Sequence, residues 1–518
     1  MVVDVTEVQA GQRVPVGRSR LAGAVAALVA LAVGELVSSL HQTGPTLVDA
    51  VGTGFIDRFG APLKDFAVTV FGDNHKTALI IGIWTVAAAI GARLGRLAVT
   101  RPWAARAGFA VAGLFGVIVH ALEPTSSIIV GGIAGTAAVA TGWVSLDAMV
   151  RAATPTATAV AVPGAGVADR RRFLTTAAAT TAGAGAVVAL GRLVRSAEPT
   201  PATDVALPAP VDRVDVPAAT GIDVDGVTPY ITPIGDFFRI DTALRVPRVD
   251  ATSWRLSVTG MVNTPLEITH ADLLAMDAVS VPVTIACVSN EIGGDLVGTA
   301  VWQGVPLVDL LDRAGVDPAA EQVFTRSVDG FTAGFPTSVL TDDRTAIVAY
   351  AMNGEPLPEL HGFPARLVVS GLYGYVSATK WLAGIELTRW DGADGYWIPR
   401  GWSKEGPVKI ASRIDVPGRG DIAAGPTAVA GIALAPGIGI AAVEVSVDDG
   451  PWQSATLGRV ASDDTWVQWS WTWDAPPGEH TLSVRATDAR GTVQTAERAP
   501  VDPDGATGHH RRRVVVRT

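Results

Sequence analysis

The chain has 518 residues and a net charge of −10, with 48% hydrophobic and only 17% charged residues. A soluble protein carries about a quarter charged residues, so part of this chain is not built for water. The acidic balance excludes a nucleic-acid partner, and the length calls for several domains.

The apolar excess lies before residue 200. Segments 21–40, 77–92, 107–122 and 126–150 are predicted as membrane-spanning helices, for which roughly 20 apolar residues suffice. Arg13, Arg18 and Arg20 precede the first, and Arg93 and Arg96 close the second. Arg101 and Arg106 open the third, and Arg151 closes the fourth. Basic flanks stay cytoplasmic, so the amino terminus is predicted inside and the helices run out, in, out, in. The mixed stretch from His41 to Lys76 then lies outside. A fifth segment, 173–194, follows Arg170-Arg171-Arg172 and Phe173-Leu174. Paired arginines before a mildly apolar stretch resemble a twin-arginine export signal, and an ordinary basic flank would look the same. Both readings make a five-helix membrane region of residues 1–196, with everything after it outside the cytoplasmic membrane.

Residues 197–227 are rich in Pro, Ala and Thr and are predicted as a linker. Residues 228–404 mix strands, such as those beginning at Trp254 and Arg366, with a helix over 307–314 that presents Val308, Leu311 and Ala314 on one face. Residues 405–500 alternate polar and apolar at 442–447, 466–473 and 480–487, with turns at Asp449-Gly450 and Pro477-Gly478. That spacing predicts a small immunoglobulin-like β-sandwich. Trp466, Trp469, Trp471 and Trp473 suit a sandwich core and an interface better than a sugar platform. The basic residues 501–518 are predicted as a disordered tail. The fold class is therefore multi-domain: helical membrane region, mixed α+β domain, C-terminal sandwich.

Cys287 is the chain's one cysteine, placed where the β-branched run 281–286 gives way to the polar turn 288–294. It is a buried spectator, a reactive thiol or a metal ligand. Its surroundings carry more. Phe237-Phe238-Arg239 is followed by Val246-Pro247-Arg248 and Trp254 to Gly260. Cys287 with Asn290, Val301 to Leu307, Ala349 to Pro358, His361 to Arg366 and Lys380-Trp381-Leu382 come next. In this order the segments resemble the sulfite oxidase family of molybdopterin-dependent oxidoreductases, over residues 230–500 and in a membrane-anchored bacterial form.

The resemblance implies a molybdenum–molybdopterin cofactor, with Cys287 as the metal ligand and catalytic thiolate. Soft thiolate ligation suits such a metal. It implies that His361, Arg366 and Lys380 contact the pterin and its phosphate, with Ser377 on the same turn and Arg239 and Asn290 nearby. An arginine clamps phosphate through two parallel hydrogen bonds. The sandwich resembles that family's dimerisation domain, implying a homodimer. The substrate side departs from the family. Glu291 stands where sulfite oxidases carry arginine, Phe335 where they carry the active-site tyrosine, and Tyr373 and Tyr375 occupy a turn that lacks the family's arginine. A carboxylate repels sulfite, so the expected activity is oxygen-atom transfer on another small molecule, in the oxidative direction or as a sulfoxide-type reductase. The electron partner is expected to be a quinone or a cytochrome. Haem in this chain is not expected, although His41, His75 and His120 lie in the membrane region, two of them near helix ends. A non-catalytic scaffold that keeps the fold is the competing reading.

Overall fold

The computed structural model describes residues 14–40, 45–56, 70, 75–123, 126–154, 165–196, 205–217, 220–244, 246–342, 344–418 and 420–518. His41, Arg13 and the side chain of His75 lie outside the described residues. Two units are present: residues 1–200 with 243–245, and 201–242 with 246–518.

The first unit is helical. Its elements are α1 (Val16–Ser39), α2 (Leu47–Ile56), α3 (His75–Thr100), α4 (Pro102–Leu122), α5 (Ile128–Ala153) and α6 (Ala165–Ser196). All but α2 are long and apolar enough to cross a membrane. Several run past the predicted apolar segments, because their arginine-bearing flanks continue the helix: α6 takes in Arg170, Arg171 and Arg172. Gly23 of α1 meets Gly91 and Gly95 of α3 so closely that a Cβ on any of the three would collide with the opposite backbone. This is close packing by small residues of the kind that holds helices together in lipid. α2 falls in the mixed stretch between the first two apolar segments. Ser38 Oγ and Glu35 Oε2 accept its Leu47 and Val48 N–H groups at 3.1 and 3.2 Å, and His120 Nε2 lies 3.1 Å from Pro45 O. Polar groups near the end of α1 thus satisfy two of the short helix's first donors, which have no partners within the helix.

The second unit contains two sheets that build the site and two that form a sandwich. The strands are β1 (Asp212–Arg213), β2 (Arg255–Gly260), β3 (Leu266–Thr269), β4 (Val279–Ala286), β5 (Val297–Pro306), β6 (Gln322–Ser327), β7 (Thr332–Pro336), β8 (Ala346–Met352), β9 (Glu355–Pro356), β10 (Arg366–Val369) and β11 (Leu382–Thr388). One sheet runs β1-β4-β5-β8-β10, with β9 paired to β8; the other runs β3-β2-β11-β6-β7. They share a core of Leu256, Val323, Tyr350, Leu367, Ile385 and others. A short helix, α7 (His270–Leu274), follows β3. The helix predicted at 307–314 is present as α8 (Leu307–Ala314), but its buried face is Leu307, Leu310, Leu311 and Ala314. Val308 points outward, 39% exposed. The predicted linker also proves partly structural. β1 pairs in parallel with Val279 and Ser280, and Pro208 O accepts from Gln303 Nε2 at 2.6 Å. A Pro-rich segment is already extended, which lets it serve as a sheet edge.

The C-terminal strands are β12 (Ala411–Val416), β13 (Asp421–Ala423), β14 (Gly425–Leu434), β15 (Ile440–Val447), β16 (Gln453–Ser454), β17 (Thr456–Leu457), β18 (Val467–Ala475), β19 (Gly478–Asp488) and β20 (His510–Arg517). Sheets β12-β14-β18-β17 and β13-β20-β19-β15-β16 enclose one core that includes Val429, Trp469, Trp473, Val445, Val484 and Val514. Trp466 is fully buried too, in the core of the mixed domain, and Trp471 is half-buried. The predicted disordered tail is instead β20, paired with β19 and β13. Val514 and Val516 enter the core, while Arg511, Arg513 and Arg517 face out to Asp449, Glu479 and Asp421. A run of arginines concealed an alternating strand.

Candidate active site

Cys287 follows β4 directly and is buried, as its strand-end position in the sequence suggested. β4 and β5 pair from Val279–Gly304 to Ala286–Val297, and the turn between them carries the cysteine. Three hydrogen bonds fix that turn. Cys287 N donates to Leu296 O at 2.9 Å, Asn290 N donates to Cys287 O at 3.0 Å, and Leu296 N donates to Asn290 Oδ1 at 2.9 Å. Asn290 therefore acts first as the staple of the cysteine loop. Glu291, at its tip, is exposed. The helix α9 (Gly374–Ser377) packs beside the end of β4, with Gly374 close to Ile285 and Ala286. Ser377 Oγ donates to the carbonyls of Leu372 and Tyr373 and holds this turn from within. Burial pushes the Tyr373 phenol up to about 12, and the nearby Asp504 and Cys287 act the same way. Burial also raises Tyr375, whose hydroxyl donates to Ser403 O at 2.6 Å.

A cationic cluster stands in the same domain. Arg366, at the start of β10, is buried with its guanidinium 4.8 Å from the Trp302 ring centre. Its Nη1 donates to His361 O at 3.2 Å. The His361 ring lies edge-on to Phe237, 5.8 Å between centres, and its Nε2 is 3.2 Å from Ile234 O. Lys380 Nζ pairs with Asp241 Oδ2 at 3.1 Å, and Arg239 Nε reaches the same oxygen at 2.7 Å. Burial lowers Arg366 to about 9 and Lys380 to about 8. Burial lowers His361 to about 4, with Arg366 adding to the effect. Burial raises the Asp329 carboxyl, and the neighbouring Asp241 carboxylate adds to it. The cluster therefore holds more positive charge than its own carboxylates offset, the condition a bound phosphate relieves. Gly362 sits at its centre with φ +110°, where a Cβ would come within 3.0 Å of the Lys380 stem and 3.1 Å of the Arg366 stem. Only glycine keeps that floor open. One soft thiol, an under-neutralised cationic cradle and a glycine floor fit an anionic pterin cofactor with a thiolate-bound metal.

The sequence gives no role to Asp241 or Asp329, and it marks Phe237 and Trp302 only as members of resembling segments. Asp241 was visible as a carboxylate two residues after Arg239, but nothing in the pattern showed that it faces Lys380. Phe335, expected on the substrate side, is fully buried on β7, in the same core cluster as Tyr373 and Tyr375. Other aromatic groups stand in contact. Phe331, in the turn that holds Asp329, neighbours Tyr396 at 5.9 Å, and Tyr396 neighbours Trp397 at 5.1 Å. Trp397 leads to Trp402 at 6.3 Å, and Trp402 to Tyr375 at 5.9 Å. These ring contacts form an aromatic wall that links the turn of Asp329 to Tyr375 of α9.

Comparison with known proteins agrees with this geometry. Residues 243–397 match the oxidoreductase molybdopterin binding domain. The uncharacterized oxidoreductase YuiH of Bacillus subtilis (strain 168) is 36% identical over 157 residues, 30% of this chain and 76% of that protein. The NAD(P)H nitrate reductase of Hordeum vulgare is 33% identical over 182 residues, 30% of this chain and 20% of that protein. The mitochondrial sulfite oxidase of Homo sapiens is 29% identical over 322 residues, 52% of this chain and 58% of that protein. The chain thus spans about a fifth of the nitrate reductase and less than two thirds of the sulfite oxidase. Among solved structures, the sulfane dehydrogenase SoxCD from Paracoccus pantotrophus aligns with a TM-score of 0.48 and 24% identity, covering 55% of this chain and 80% of that one. The matched residues include Cys287, His361, Arg366 and Lys380, with Arg239 and Asp241 just before them, and the chain belongs to the sulfite oxidase-like family of molybdopterin-binding oxidoreductases.

Proposed function

We propose that this enzyme is anchored in the cytoplasmic membrane by several helices and transfers an oxygen atom to or from a small molecule other than sulfite, on the extracytoplasmic side. The observation that carries the reading is one buried thiol in the same domain as a cationic cradle that its own carboxylates do not neutralise. When bound, the cofactor supplies a two-electron centre: an oxidised substrate, two protons and two electrons on one side, the deoxygenated substrate and water on the other. Cys287 would hold the metal. His361, Arg366, Lys380 and Arg239 would hold the pterin and its phosphate, with Asp241 setting the position of Arg239 and Lys380. Ser377 and Asn290 keep the two flanking turns in shape.

The substrate reading rests on what surrounds the thiol. Sulfite recognition needs cations, whereas the cysteine loop presents Glu291 and the neighbouring wall is aromatic. Such a wall favours a neutral or cationic molecule with apolar groups. It favours equally a sulfoxide-type reductase, with electrons from a quinone or cytochrome of the membrane. The five apolar helices and their arginine flanks support a multi-pass anchor, and the Arg170-Arg171-Arg172 start of α6 supports twin-arginine export of the domain after it. The two-sheet C-terminal domain supports a dimer through an immunoglobulin-like sandwich. The test is steady-state turnover by the purified full chain with dye donors and acceptors. Sulfite should be turned over poorly and a neutral sulfoxide or N-oxide well; efficient sulfite oxidation would overturn the substrate reading.

A further inference from the structure

Both turns that flank Cys287 are gripped by a single stretch of the sandwich domain. On one side is the cysteine loop. Arg413 Nη1 donates to Gly294 O at 2.7 Å, while its Nη2 donates to Thr228 Oγ1 and its Nε to Asp415 Oδ1, both at 2.6 Å. The His510 ring lies where a Cβ on Gly293 would stand. His510 is itself fixed, since its Nδ1 accepts from Ile414 N at 2.9 Å. Gly508, at φ +126°, leaves room for Ile292: a Cβ there would come within 2.9 Å of the Ile292 side chain. On the other side is the turn of Tyr373 and α9. Gly505, at φ +101°, lies under the Tyr373 hydroxyl, 2.5 Å from where its own Cβ would be. Lys409 ties the two together, pairing with Asp504 at 2.8 Å, donating to Gly505 O at 3.0 Å, and giving its backbone N–H to Tyr373 at 3.4 Å.

The gripping stretch is anchored from behind. Gln494 is buried, donates to Gly508 O at 2.8 Å, and accepts from Ser412 Oγ at 2.7 Å and from Ala486 N at 3.1 Å. Glycines stand at both contact points, at left-handed φ values that side chains rarely adopt. The stretch therefore approaches both turns with backbone rather than with flexible side chains.

We infer that Asp504–His510, with Arg413, is a positioning brace that holds the Cys287 thiol in register for its metal. The inference rests on Cys287 being the metal ligand. A metal held by one protein donor has no second protein ligand to correct an error in the first. Groups behind a ligand fix its orientation, and losing one weakens metal binding by about 10- to 100-fold. None of these residues touches the metal; they act through the loop.

The test uses the full chain purified in detergent with its cofactor. Variants are Arg413→Ala, Arg413→Lys and Gly505→Ala, with Arg485→Ala as a control elsewhere on the sandwich, where Arg485 pairs with Glu444. Two rates are read: loss of molybdenum on dialysis, and alkylation of Cys287, the only thiol in the chain. Arg413→Ala should raise both by about tenfold or more in the folded protein, with Arg413→Lys intermediate and the control unchanged. Wild-type rates in a folded Arg413→Ala protein would overturn the inference. Should that variant not fold, wild-type rates in both Arg413→Lys and Gly505→Ala would do the same. Wild-type protein without molybdenum would defeat the ligand assignment instead, and alkylation of that protein would still show whether the brace orders the loop.

Discussion

Cys287 owes its place to β4, whose β-branched residues end in a turn stapled by Asn290, so replacing its sulfur should leave the fold untouched. Freed of cofactor, Cys287→Ser should unfold at the temperature of cofactor-free wild type, since the two side chains differ by one atom in a site already shaped by backbone bonds. Differential scanning calorimetry checks this. Glu291 is exposed, so its charge acts on an anion through water and is worth less than about 1 kcal/mol. Glu291→Arg should accordingly improve the apparent affinity for sulfite by no more than about tenfold, with turnover unchanged, in a steady-state assay. Histidine gives a third residue-scale expectation. His361 and His510 are held at about 4, chiefly by burial, with Arg366 acting on the first and Arg512 and Arg413 on the second. In the unfolded chain both titrate near 6.5. Between about pH 6.5 and 4 the unfolded state takes up protons that the folded state refuses, so stability falls as pH falls through that window and is not regained below it. Thermal unfolding over a pH series should show this, with a shallower slope for His510→Gln. Cys287, His361, Arg366 and Lys380 were legible through the resemblance of their segments to the family, and the structure places His361 and Arg366 in contact and Lys380 beside Asp241. Asp241 and Asp329 were not legible, because pairing across elements leaves no mark on local sequence.

Among the elements, those with one clean periodicity were readable and those with two overlapping signals were not. β4, β15, β18 and β19 alternate or run apolar without interruption, and all appear within a few residues of expectation. β20 carries arginines on both sides of its buried Val514 and Val516, and the charge read as a solvated tail. Val514→Asp tests the correction: an unpaired charge in the sandwich core should cost about 3–5 kcal/mol, measured by chemical unfolding, whereas a disordered tail would not register it. Phe335 on β7 shares one buried core with Tyr373 and Tyr375, a grouping across elements that local sequence does not mark. In the helical unit, the Gly23–Gly91–Gly95 contact makes a sharp expectation. Gly95→Leu should drive α1 and α3 apart, since its side chain would enter the Ser19 and Gly23 backbone. Loss of the folded full chain from detergent extracts, with Gly82→Leu unaffected in its open position, is the expected outcome.

Across the whole molecule, the long apolar helices were visible in composition, because the apolar excess lies before residue 200, whereas the redox domain was visible only through the resemblance of its segments to a known family. What composition could not show is that the last strand reaches back to the cysteine loop, a contact between residues more than two hundred positions apart in the chain. Topology can be read by protease protection: the C-terminus should be cut from outside the cell, and Arg171→Lys with Arg172→Lys should leave it protected inside if the arginine pair is a receptor-read signal. Retained outside cutting would make α6 an ordinary fifth span. The most direct measurement is metal and pterin analysis of the purified full chain, wild type beside Cys287→Ser and Arg366→Met. Wild type should carry about one molybdenum and one pterin per chain. Cys287→Ser should lose activity and hold molybdenum weakly, because serine is a harder and far less acidic ligand. Arg366→Met should lose the pterin as well. Wild-type protein that turns over substrate with neither molybdenum nor pterin, or a Cys287→Ser protein with full activity, would contradict the assignment of this site.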